Sequence, residues 1–208
     1  MDALTKILNA ASELFRQYGF KTITMDDVAR RAGISKKTLY QHFANKGALV
    51  STSVEWYKDH LSEACLKAMQ ESENAVEGMV RTAVLFDQVI QQLNPLSMLE
   101  LERYFPDSFL KFKTSLQTKD VVSIAENLQR GIEEGLYRSD LNIPFLSQYR
   151  MEISLMVFYP SLLVENRTNI QQVAQAISEH FLYGIMTTKG VRLYTKYKDK
   201  YFKEATRI

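Results

Sequence analysis

Between residues 4 and 46 the chain alternates short helical periods with stop and start signals, and no other feature narrows its fold as far. Leu4, Ile7, Leu8, Ala11, Leu14, Phe15 and Tyr18 recur at spacings of three and four, the period of one helix face. Gly19 suits the left-handed position just past a helix end. Thr24 can cap a second helix that starts at Met25, with Asp26 and Asp27 placed against its dipole. That helix runs to Ala32, where Gly33 stops it; Ser35 can cap a third helix over residues 36–43, and Asn45 a fourth. Two short helices joined by a tight turn, braced by a longer helix on each side, are the layout of a helix-turn-helix unit.

The lysines of this stretch fit such a unit. Lys36 and Lys37 open the third helix and Lys46 opens the fourth, positions where the macrodipole disfavours a cation by roughly 0.3 to 1 kcal/mol. Phosphates would supply the missing negative charge, because a helix-turn-helix sends the N-terminal end of its third helix into the major groove and lays the fourth against the backbone. The charge distribution agrees. Residues 1–50 hold 8 Lys+Arg against 4 Asp+Glu, residues 51–190 hold 12 against 18, and residues 191–208 hold 6 against 2. A basic end and an acidic body suggest a nucleic-acid-facing part and a part that faces something else.

The stretch "AASELFRQYGFKTITMDDVARRAGISKKTLYQHFANKGALV", with its "T-x-x-D-V-A-x-x-A-G-I-S" and "T-L-Y-x-H-F-x-N-K" runs in unbroken spacing, resembles the DNA-binding region of TetR-type transcriptional repressors. The resemblance covers about a quarter of the chain. It implies a bacterial, all-α regulator: an N-terminal three-helix helix-turn-helix DNA-binding domain over residues 1–46, and a larger helical ligand-binding and dimerisation domain over 47–208, of which 191–208 form an extra C-terminal helix.

Within the reader, Phe15, Ile23, Val28, Ala29, Ile34, Leu39 and Phe43 are apolar at helical spacings and form its core. Tyr40 and His42 share a short helix whose core face is Leu39 and Phe43, so they point elsewhere and suit phosphate. Lys36, Lys37, Thr38 and Gln41 are the candidates for base edges, with the choice between the two lysines open. Thr24, Ser35 and Lys46 complete the expected DNA-binding set. Asp26 would repel phosphate and is left with a capping role.

In the body, residues 46–69 form a linking helix and residues 77–93 another, while "NPLSMLELERYFPDSF" is a broken region between prolines that would gate a pocket. Trp56, Met79, Phe86, Met98, Phe105, Phe109, Phe112 and Met156 are candidates to line that pocket, each equally able to be ordinary core. The segment "ISLMVFYPSLLV" is apolar almost all round and must be covered on both sides. With the helix that follows, it is expected to make a dimer interface from Leu155, Tyr159, Leu162, Ile170, Val173, Ile177, Phe181 and Gly184. The last segment places Tyr194, Tyr197 and Tyr201 on one helical face among lysines, a packed helix with a solvated basic side.

Enzymatic function finds little support. His60 and Glu63 lie one turn apart, but no third ligand stands at metal spacing and there is no phosphate-cradling glycine loop or nucleophile elbow. Neither catalytic residues nor a metal or other cofactor is expected. With a lone Cys65, no apolar run approaching the roughly 18 residues of a membrane span and no signal-peptide pattern, the expected location is the cytoplasm. The partners are double-stranded operator DNA, a second copy of the chain and a small apolar or amphipathic effector, with no membrane. The alternative is an architectural DNA binder without an effector, which would not need so large an acidic body.

Overall fold

The computed structural model describes residues 2–158 and 170–205. Those residues are helical throughout: they contain eleven α-helices and no β-strand, only an isolated bridge between Tyr137 and Met186. In chain order they are α1 (Ala3–Tyr18), α2 (Met25–Ala32), α3 (Lys36–His42), α4 (Lys46–Gln70), α5 (Ala75–Gln91), α6 (Ser97–Tyr104), α7 (Pro106–Ser115), α8 (Val121–Glu133), α9 (Ile143–Leu155), α10 (Ile170–Ile185) and α11 (Thr188–Ala205). A π-helical turn, Leu116–Asp120, joins α7 to α8. The chain forms two compact units: residues 1–61 with 92–115, and residues 62–91 with 116–208.

In the first unit each short helix is closed by its own sequence. Asp2 accepts from the Thr5 N–H at 2.8 Å, and Gly19, at φ 87°, ends α1 by donating to the Phe15 carbonyl. Thr24 and Asp27 form a reciprocal capping box at the start of α2, and Gly33 ends it in the left-handed conformation at φ 65°. Asn45 Oδ1 accepts from the Ala48 N–H and starts α4. Ile7, Ala11, Phe15, Val28, Leu39, Leu49 and Val50 make the buried core, as their spacing predicts. The buried Ser12 hydroxyl donates to the Ser53 carbonyl, and the Arg16 guanidinium donates to the Tyr57 hydroxyl while lying 4.0 Å from its ring centroid. These contacts pin α1 to α4.

The region between the prolines is placed differently from the expectation of a gate. It folds as α6 and α7 and packs on the reader itself: Leu101 is buried in the same core, with Met98, Phe105 and Phe109 against it. It holds the end of α1 and the turn after it: the Asn94 backbone N–H donates to the Arg16 carbonyl, and Glu100 Oε2 accepts from the Lys21 N–H.

The second unit is built on α5, with α8, α10 and α11 around it and Val76, Met79, Val80, Leu128, Tyr137, Phe181, Leu182 and Tyr194 in its core. The buried Tyr137 hydroxyl donates to Asn127 Oδ1, whose amide nitrogen donates to the Ala75 carbonyl. The tyrosines of the last segment face inward as expected. Tyr194 and Tyr197 are buried, Tyr197 donates to Glu73, and Tyr201 donates to the buried Glu77.

Candidate nucleic-acid interface

The exposed side of α3 carries the residues that the sequence assigns to DNA. Lys36 and Lys37 are its first two helical residues and are exposed, as are Tyr40, Gln41 and His42, while Leu39 is fully buried on the opposite side. Thr38 is half-buried because its N–H donates to Ser35 Oγ at 3.0 Å and its hydroxyl lies 2.8 Å from the same oxygen. The Thr24 and Ser35 hydroxyls therefore fix the starts of α2 and α3. Thr24 commits both its N–H and its hydroxyl to Asp27, at 3.0 and 2.5 Å. The two bonds from Thr24 hold the Asp27 carboxyl below its ordinary pKa.

Two residues sit otherwise than their sequence reading. Asp26 is not the side chain that caps α2, since Asp27 closes the capping box; Asp26 instead forms an ion pair with Lys36 across the turn. Of the lysines at the start of α3, Lys37 is the one without a partner among the described residues, and Lys36 is restrained by a carboxylate. Lys46 is half-buried: its ammonium donates to the Lys21 carbonyl at 3.1 Å and lies 5.9 Å from the Phe105 ring. Burial lowers its pKa, against the opposing fields of Glu100 and Asp27. That bond uses one of the three N–H donors of the ammonium and leaves two for a phosphate. Arg30, which the sequence reading did not assign, has a side chain 78% exposed and pairs with Asp27 at 3.4 Å.

Among the described residues, the candidate pocket residues divide between the two units. Trp56, Met98, Phe105 and Phe109 pack on the reader core, Met79 and Met156 belong to the core of the second unit, and Phe112 is half-buried in α7. Of the eight, Phe86 lines the cavity of about 110 Å³ in the second unit. Of the expected interface residues, Ile170 and Phe181 are buried within their own unit, Leu155, Val173 and Ile177 are half-buried, and Gly184 is exposed; Tyr159 and Leu162 lie outside the described residues. His60 turns Nδ1 to the Trp56 carbonyl at 2.7 Å, a contact within its own helix.

Residues 7–52, which span α1 to the start of α4, match the family model described as bacterial regulatory proteins, tetR family. Residues 7–52 are a DNA-binding region of the TetR type. The chain is 25% identical over 195 residues to the transcriptional repressor KstR2 of Mycobacterium tuberculosis, a match covering 89% of this chain and 94% of that one. A transcriptional regulator from Cytophaga hutchinsonii shares its fold with a TM-score of 0.70 at 20% identity, over 88% of this chain and 98% of the other. FadR of Bacillus subtilis, solved in complex with stearoyl-CoA, does so with a TM-score of 0.63 at 16% identity, over 88% and 99%. The TetR-family match ends where α4 has just begun, so it bears on the reader and not on the residues that would sense a ligand. No helix of the described residues is long and apolar enough to cross a membrane.

Proposed function

We propose that the protein is a dimeric repressor that reads a palindromic operator through α3 and is released by a small apolar or amphipathic effector held in its body. The observation that carries the DNA-reading part is the exposed row Lys37, Tyr40, Gln41 and His42 on a helix whose other side is sealed by Leu39 and whose start is fixed by Ser35. Lys37 and Gln41 are set for base edges, and Tyr40 and His42 for phosphate. Repression is supported by the relative that bears the name of repressor, and an effector with a long apolar part by the neighbour solved with stearoyl-CoA.

Selection of duplexes from a random pool, followed by anisotropy titrations over a range of salt, tests this reading. A single palindromic site should emerge, with affinity falling steeply as salt rises, by about 0.9 log unit per log unit of salt for each phosphate neutralised. Gln41→Ala should relax the preference at one position of each half-site. Equal binding of all sequences would overturn the repressor in favour of an architectural protein.

A further inference from the structure

The cavity in the second unit lies between α5, α10 and α11 and has a volume of about 110 Å³, several times the roughly 10 to 15 Å³ that one water requires. Val80, Phe86, Leu182 and Phe202 supply apolar wall, and three ionisable groups of opposite sign enter it: Asp87, Glu179 and Lys198. Glu179 and Lys198 satisfy each other where the cavity meets solvent, their side chains 33% and 44% exposed. Burial, with the field of Glu179 beside it, pushes the Tyr194 hydroxyl above its ordinary pKa.

Asp87 is in a different position. It is only 7% exposed, and its oxygens accept from two carboxamides, Gln91 Nε2 at 2.9 Å and Gln175 Nε2 at 3.5 Å. Both oxygens act as acceptors, as those of a carboxylate do, and no lysine, arginine or histidine reaches the group among the described residues. Buried charges are ordinarily paired, because desolvation is otherwise uncompensated. Here the charge stands in the wall of a hollow beside the rings of Phe86, Tyr194 and Phe202. A carboxylate in a wall that also holds aromatic side chains is the chemistry that holds an organic cation: the ammonium on the carboxylate, the carbon body on the apolar wall.

We propose that this cavity binds a small organic ammonium compound, with Asp87 as its counter-ion. The C-terminal helix makes the site, since Tyr194, Lys198 and Phe202 all come from α11, and this gives the basic, tyrosine-rich segment a purpose that DNA reading does not. Lys198 keeps Glu179 neutralised, so the cavity presents one uncompensated negative charge and favours monocations. The site is defined by binding alone and stands whether or not its occupancy releases DNA.

Calorimetric titration of the full chain, without DNA, with benzylammonium, benzyl alcohol and benzoate separates charge from shape. Benzylammonium should bind about ten- to a hundredfold more tightly than the alcohol, the range of a hydrogen bond to a charged group, and benzoate should not bind. Asp87→Asn, matched for shape, should abolish the preference for the cation over the alcohol. Lys198→Ala changes a partly exposed residue and frees Glu179, so it should raise affinity for the cation; it keeps the test open should the Asp87 variant fold poorly. The proposal is overturned if benzylammonium does not bind, if the alcohol binds as well, or if neither variant alters the preference. A separate titration of operator-bound protein reads coupling: binding without release would count against the sensor function and leave the cation site standing.

Discussion

Asp26 and Lys36 lie ten positions apart, and their ion pair decides how much charge α3 offers to DNA. Replacing Asp26 with Asn should release Lys36, strengthen binding to any duplex, and steepen the slope of log affinity against log salt by about 0.9 for each subunit in which the lysine gains a phosphate. An anisotropy series over salt reads this directly, and an unchanged slope would show that freed Lys36 does not reach the backbone. The neighbouring Asp27 acts on stability instead. Its folded-state pKa lies below the ordinary carboxylate value, so its contribution is present above that ordinary value and is lost as pH falls through the depressed one. Asp27→Asn should therefore lower Tm near neutrality yet lose less on acidification than the parent protein. The caps at Thr24, Ser35 and Asn45 were legible because each acts on a backbone N–H three residues on. Which of two adjacent aspartates caps, and which lysine is restrained, depends on rotamers meeting across a turn, and no local pattern records that.

At the scale of elements, helix periods and glycine stops located α1 to α5, α10 and α11, but not the partner of each. The α6–α7 pair illustrates the limit: its apolar spacing is that of any short helix, and only tertiary contact shows Leu101 and Phe105 closing the reader core. Gly131 was equally silent. A Cβ there would lie 1.9 Å from the ring of the buried Tyr137, so Gly131→Ala should cost about 1 to 3 kcal/mol despite the better helix propensity of alanine. Calorimetric melting should show the corresponding fall in Tm, roughly 2 to 4 °C per kcal/mol for a chain of this size. On α10 the opposite holds, since a Cβ on Gly184 meets nothing within 4 Å. Gly184→Arg should leave the helical circular dichroism of a single subunit intact while sedimentation reports monomers, if that exposed position belongs to the seam between copies. Phe181→Asp does not test the seam, because Phe181 is 4% exposed within its own unit and an unpaired carboxylate there would unfold it.

For the whole molecule the two units are joined through the chain itself. α4 begins at Lys46 beside the reading helix and runs without interruption to Gln70, so its first part belongs to the first unit and its end, beyond Leu61, to the second. A dimer that reads two half-sites about one DNA turn apart tolerates little change in the separation of its recognition helices. An effector that favours another separation must then weaken operator binding, and a coupling of about 1 to 3 kcal/mol corresponds to about 5- to 150-fold. Thermodynamic linkage makes the effect reciprocal: operator DNA must weaken effector binding by the same factor. Both sides are measurable, by titrating effector into free and operator-bound protein and by titrating operator with and without effector. Equal factors above about fivefold would establish a sensor within that usual range, and the effector that gives them would be the first to test against Asp87→Asn. A compound that binds tightly yet shifts neither titration has no differential affinity for the two states and cannot be the signal.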